Sequence, residues 1–98
     1  MDEVIVCRFE IRETADPDGF EKSLGAALSR QEEVGSTRSG QLTGFRLLRG
    51  ADASTERTYL LEVDGMMSLP AGIRDAITSG SADMIVGEPF HHVENPSA

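Results

Sequence analysis

The 98-residue chain is predicted to be one α+β domain with its elements in βαββαβ order. Three observations predict it. Residues 4 to 12 alternate with a period of two, two later segments carry apolar stripes at helical spacing behind capping signals, and a pair of strand-like runs lies between those segments. At this length a single hydrophobic core is all that fits, and a domain this small gains from further burial against a partner.

The first strand is residues 4 to 12. Its residues are β-branched and aromatic, and Ile5, Cys7, Phe9 and Ile11 make one wholly apolar face. The opposite face starts apolar with Val4 and Val6 and turns charged at Arg8 and Glu10. Asp16-Pro17 then pairs a capping oxygen with a proline whose fixed φ suits the first helical position, and Phe20, Leu24, Ala27 and Leu28 follow at helical spacing, so the first helix runs to about Val34. Gly35 to Gly40 is small, polar and aperiodic, a surface loop and a candidate lid.

Residues 42 to 49 and 57 to 64 are predicted to pair as an antiparallel hairpin across the polar stretch Gly50 to Glu56. Ser68 offers an N-cap to a second helix with Leu69, Ile73, Ala76 and Ile77 as its apolar stripe, and Gly80 stands where a left-handed C-terminal cap is wanted. A last strand opens at Met84-Ile85-Val86 and passes through Phe90 to about Val93. Pro89 assigns it to a sheet edge, because proline cannot donate to a ladder. Residues 95 to 98 form a tail.

This order matches the split βαβ, or ferredoxin-like, arrangement: a four-stranded antiparallel sheet with two helices on one face, strands one and three central, two and four at the edges. Two helices cover one face only. The other carries Val4, Val6, Leu48 and Leu60, so the expected partner is a second copy of the chain, with Arg8, Glu10, Arg46 and Glu62 as charged fringes or pairs.

Composition excludes several function classes. Seventeen acidic residues against nine basic give a charge of −8, which repels nucleic acid and anionic membrane surfaces. One cysteine allows no intrachain disulfide and no cysteine-based zinc site, and the glycines follow no phosphate-cradling pattern. The N-terminal stretch lacks the basic lead and length of a signal peptide, and no run approaches the roughly 20 apolar residues of a membrane span. The expected location is the cytoplasm.

The segments VIVCRFEIRE, GFRLLRG, RTYLLEVDG and IVGEPFHHVE resemble the dimeric α/β-barrel superfamily, and within it are similar to RedY-like and antibiotic-biosynthesis-monooxygenase-like small proteins. The resemblance implies a homodimer whose sheets close into a barrel, a small-molecule cavity between sheet and helices, and chemistry on aromatic or polyketide-type compounds without metal or organic cofactor. It leaves open whether the chain is an enzyme, a non-catalytic ligand-binding or regulatory module, or a purely structural dimer.

Candidate site residues follow from residue type and position. His91 and His92 are the only histidines. As strand neighbours they point to opposite faces, so each is a separate candidate general acid/base, or an ordinary edge or dimer-contact residue. His92 shares its side with Glu88, Phe90 and Glu94, which makes Phe90 a candidate substrate contact. Tyr59, on a central strand beside Leu61 and Val63, needs a hydrogen-bond partner if buried and is a candidate donor to a carbonyl or phenol. Arg8, Arg46 and Arg49 are candidate clamps for a carboxylate or enolate, or partners for the surplus acids. Cys7, on the apolar face of strand one, reads as a buried inert thiol.

Overall fold

The structure is a computed structural model that describes residues 3–38, 40–81 and 87–91. Its elements are β1 (Glu3–Glu10), α1 (Pro17–Val34), β2 (Gly40–Arg49), a 3₁₀ turn at Ala53–Thr55, β3 (Thr58–Met66), α2 (Ala71–Gly80) and β4 (Glu88–His91). The four strands form one sheet in the order β2-β3-β1-β4, and every pairing is antiparallel. This is the ferredoxin-like topology, with strands one and three central as their apolar loading requires.

The alternation of β1 decides which face the helices cover. Ile5, Cys7 and Phe9 are at most 3% exposed, and they meet Tyr59, Leu61 and Val63 of β3 in one layer beneath Phe20, Leu24 and Leu28 of α1 and Ile73 and Ile77 of α2. The layer is closed at one end by three rings. Phe9 and Tyr59 stack with centroids 5.7 Å apart, and Phe20 sits 5.4 Å from Tyr59 and 5.8 Å from Phe9. Aromatic pairs at this separation add attraction beyond their buried area. The shortest principal dimension is 19 Å, which is one sheet layer plus one helix layer and leaves the far side of the sheet uncovered by this chain.

Asp16 caps α1 as its sequence position demands: its side-chain oxygen accepts from the Gly19 backbone N–H at 3.0 Å, with Pro17 opening the helix. The second helix departs from expectation at both ends. Pro70, not Ser68, occupies the N-cap position, because its fixed φ already sets the backbone to enter a helix one residue later. Gly80 is the last helical residue and is not left-handed; the positive-φ glycines among the described residues are Gly35, Gly40 and Gly65. Its smallness serves packing instead. A Cβ at Gly80 would lie 2.5 Å from Cδ1 of Phe20, so the glycine is where α1 and α2 approach closely. Gly40 and Gly65 stand opposite the irregularity where the β2–β3 register shifts between Gly40 and Gly44.

Pro89 sits on edge strand β4, opposite Ile5 of β1. The expected start of this strand at Met84 to Val86, its continuation through His92 to Val93, and the tail all lie outside the described residues. No helix among the described residues is long and apolar enough to cross a membrane.

Candidate functional site

The three ladders of the sheet place its outer face in rows. One row is Leu48, Leu60 and Arg8; the next is Arg46, Glu62, Val6 and Glu88; the third is Gly44, Asp64, Val4 and Phe90. The period-two rule puts every one of these residues on the side away from the helices. Leu48 is 43% and Phe90 50% exposed, with Val6 and Leu60 half-buried between them. An apolar strip therefore runs across a face that one copy of the chain leaves open.

At the hairpin end of this face lies an open pocket of about 440 Å³, lined by Arg8, Leu48, Arg49, Gly50, Thr55, Thr58, Tyr59 and Leu60. Its volume falls in the range of small-ligand sites. The apolar walls come from β2 and β3, the hydroxyls from Thr58 and from the 3₁₀ turn that carries Thr55, and the two guanidiniums from Arg8 of β1 and from Arg49 of β2, which is paired with Glu21. Thr55 and Thr58 carried no signal in the sequence, since only the fold of the hairpin loop brings them beside Arg8.

The arginines divide sharply by partner. Arg46 donates its Nε–H to Oε2 of Glu62 at 2.9 Å, directly across the β2–β3 ladder, so this pair is made within one sheet. Arg49 donates to Oε2 of Glu21 on α1 at 2.9 Å, and that carboxylate holds the guanidinium above its ordinary pKa. Arg57 donates to the backbone carbonyls of Arg12 and Ala15, and Arg12 to that of Ser79. Arg8 has no ion pair or side-chain hydrogen bond among the described residues. The next residue on its face, Glu10, turns its Oε1 toward Thr58 Oγ1, 3.5 Å away.

Tyr59 is 1% exposed and its ring belongs to the aromatic cluster of the core. Its hydroxyl donates to Oε2 of Glu21 at 2.8 Å, the partner that burial demands. Burial, reinforced by the Glu21 carboxylate, pushes the phenol up to about 12. Cys7 is fully buried, and burial pushes its thiol up to about 11, which keeps it protonated and inert at neutral pH.

The candidate catalytic residues are not brought to one place within a protomer. His91 pairs with Glu3 at one end of β1, whereas Tyr59 pairs with Phe9 near the other. Glu3 and Arg8 are five residues apart along the strand, about 17 Å. His92 lies outside the described residues. Phe90 is on the outer face beside Val4, in the third row. Among the described residues no group of three or more histidine, cysteine or acidic side chains is placed to hold a metal. Core side chains occupy the layer between sheet and helices, where a cavity was expected, and the pocket of about 440 Å³ is on the other side of the sheet.

No protein-family model matches the sequence, and no curated protein matches it. Solved structures do match along nearly the whole chain. SnoaB, a cofactor-independent oxygenase from Streptomyces nogalater solved in a mutant form, superposes with a TM-score of 0.58 at 15% identity, over 99% of this chain and 98% of that chain. A dimeric ferredoxin-like protein of unknown function from Thermobifida fusca gives 0.57 at 18% identity, over 92% and 90%. An antibiotic-biosynthesis-monooxygenase-like protein from Bordetella bronchiseptica gives 0.57 at 13% identity, over 95% and 98%. The chain thus shares a ferredoxin-like fold with solved structures that include dimeric proteins of unknown function and antibiotic-biosynthesis-monooxygenase-like proteins, the group its own strand and hairpin segments resemble.

Proposed function

We propose that this protein works as a homodimer joined through the outer face of its sheet and acts on a small organic molecule bound at the Arg8–Leu48–Leu60 pocket, by oxygenation that needs no cofactor. The observation that carries the reading is the pocket itself: a guanidinium with no partner among the described residues, against apolar walls at the end of an exposed apolar strip. The dimeric ferredoxin-like neighbours support the assembly, and the oxygenase neighbour supports the reaction class.

In such a reaction the substrate supplies the electrons. An acidic CH₂ flanked by aryl or carbonyl groups loses a proton, the carbanion is oxidised by O₂, and R₂CH₂ + O₂ → R₂C=O + H₂O balances without a further reductant. Arg8 would stabilise the enolate or phenolate oxygen on which the charge collects, since a fixed cation beside low-dielectric walls acts more strongly than one in water. His91 or His92 is the proposed proton acceptor. A second copy on the same face would roof the pocket and bring its own β4 edge to that interface.

A second reading rests on one observation: the pocket lining contains no carboxylate or imidazole among the described residues, as a binding or regulatory module would have it. One experiment separates the two. Oxygen uptake and product mass are followed with hydroxyaromatic ketones, with no flavin or metal added, together with molar mass by light scattering. Uptake with one oxygen atom gained and two hydrogens lost in the product, from a species of roughly twice 10.6 kDa, supports the enzyme. Ligand-raised melting temperature without product identifies the binding module, and a monomer at micromolar concentration removes the dimer. If His91→Ala and His92→Ala both leave turnover intact, neither histidine is the base.

A further inference from the structure

We propose that the β2 edge of the sheet, with the flank of α1 above it, is a docking groove for an extended acidic segment of a partner protein, which joins the sheet as a fifth strand. The groove depends neither on the proposed reaction nor on the proposed dimer.

The backbone sets the kind of partner. Among the described residues β2 pairs with β3 alone, so the N–H and C=O groups on its other side are open to a chain that can match them, and an extended peptide is the chemistry that does so. Sheet edges are ordinarily blunted by proline, lysine or a bulge. The opposite edge strand, β4, holds Pro89, whereas β2 has neither proline nor lysine and its one irregularity is confined to Gly40–Gly44. Gly44 to Arg49 is a regular run.

The side chains leave room for it. Phe45 pairs with Val63 on the helix side of the sheet, yet it is 37% exposed where Val63 is fully buried, so the cover given by α1 ends before the edge. Gly25 lies one helical turn past Glu21, which holds Arg49 of β2, and so stands on the flank of α1 nearest this strand. Glycine is a poor residue for the middle of a helix. Here its φ is ordinary and a Cβ would meet nothing within 4 Å, so neither the backbone nor the surroundings require it. The missing side chain leaves a hollow into which an apolar side chain arriving beside Phe45 fits.

Charge sets the partner's sign. Residues 34 to 51 contain three arginines and no acid, while the rest of the chain carries all seventeen acids against six basic residues. Glu62 and Glu21 each take one N–H, from Arg46 and Arg49, but the Arg46 side chain is 69% exposed against 28% for Glu62, so the cation stands on the rim and the acid behind it. A guanidinium has five N–H donors, and those left over suit further carboxylates. Arg46 lies on the outer face and Phe45 on the helix face, so the matching strand alternates carboxylates with apolar residues. The β2 edge of a second copy would bring arginines to arginines, which charge opposes.

The test titrates ¹⁵N-labelled whole protein with three capped peptides of equal length, in which valine alternates with glutamate, glutamine or lysine. The glutamate peptide is expected to shift the amides of Gly44 to Arg49 and to bind about tenfold or more tighter than the glutamine peptide, while the lysine peptide leaves those amides unmoved. Raising NaCl from about 0.05 M to about 0.5 M is expected to narrow the gap. Arg46→Gln is expected to remove the preference for glutamate and leave the glutamine peptide as it was. Gly25→Gln fills the hollow and is expected to weaken both peptides about fivefold, with an unchanged or raised melting temperature because glutamine suits a helix better than glycine.

If the glutamate and glutamine peptides bind alike, or if Arg46→Gln keeps the preference, the acidic partner is wrong. Unchanged binding by Gly25→Gln removes the α1 flank from the groove. If no peptide shifts Gly44 to Arg49, or if those amides move when the protein alone is diluted, the edge is closed or taken by a second copy and the groove itself falls.

Discussion

The Tyr59 hydroxyl donates to Oε2 of Glu21 at 2.8 Å, and Arg49 donates to the same oxygen at 2.9 Å. One carboxylate oxygen thus ties central strand β3, edge strand β2 and helix α1 together at the mouth of the aromatic cluster. The asymmetry of such a bond sets an order of effects. Tyr59→Phe removes the buried hydroxyl along with its bond and is expected to cost about 1 kcal/mol, whereas Glu21→Ala strands that hydroxyl and is expected to cost about 2 kcal/mol. Urea unfolding at pH 7 measures both; Tyr59→Phe proving the more damaging would mean that the Glu21 bond is not what satisfies the tyrosine.

Stability at high pH follows from two raised pKa values. Tyr59 is pushed up to about 12 from an ordinary 10.0, and Cys7 to about 11 from 9.0. Both groups are neutral when protonated, so between the ordinary and the raised value the unfolded chain has already lost a proton that the folded chain keeps. Their stabilisation is therefore complete below pH 9 and is lost as pH rises, first from 9 to 11 through Cys7 and then from 10 to 12 through Tyr59, by about 2 kcal/mol for each group. Chemical denaturation across pH 8 to 12 should show this fall, and Cys7→Ala should remove its lower part. A flat profile to pH 11 in the native sequence would contradict it.

Gly80→Ala tests the close approach of the two helices. At an ordinary exposed helical position this change stabilises by about 1 kcal/mol. Here the new methyl group meets Cδ1 of Phe20 at 2.5 Å, and the expected outcome is a net loss of about 1 to 3 kcal/mol. Phe20→Leu in the same chain should return part of that loss, seen as positive coupling in a double-mutant cycle.

The proposed dimer is tested away from the pocket by Phe90→Asp. Phe90 is half exposed on the outer face of edge strand β4, so a carboxylate there costs the isolated protomer little. In a face-to-face dimer it would bury a charge, and the dissociation constant from sedimentation equilibrium is expected to rise at least tenfold. Unchanged dimerisation would move the interface off this face.

Much of the fold was legible because it rests on local rules. The alternation Ile5, Cys7, Phe9 states which face of β1 is buried, Asp16-Pro17 states where α1 begins, and Pro89 states that the last strand is an edge. The errors fell where a local signal was overridden. Gly80 has the residue type of a left-handed cap, but the ring of Phe20, sixty residues earlier, is what requires a glycine there. Ser68 is a good capping residue placed two positions before a proline that starts the helix by itself.

The candidate site was legible only as a set of residue types. Arg8, Arg46 and Arg49 are equivalent guanidiniums on strands in the sequence; strand register gives Glu62 to Arg46, the packing of α1 gives Glu21 to Arg49, and neither supplies an acid to Arg8. Periodicity along the chain could thus determine the βαββαβ order, the buried face and the presence of an uncovered apolar one, because each depends on neighbours a few residues away. Which of these three strand arginines has no partner among the described residues, and that Thr55 and Thr58 stand beside it, was decided by the tertiary structure alone, since partners separated by 16 to 50 residues meet only through register and packing.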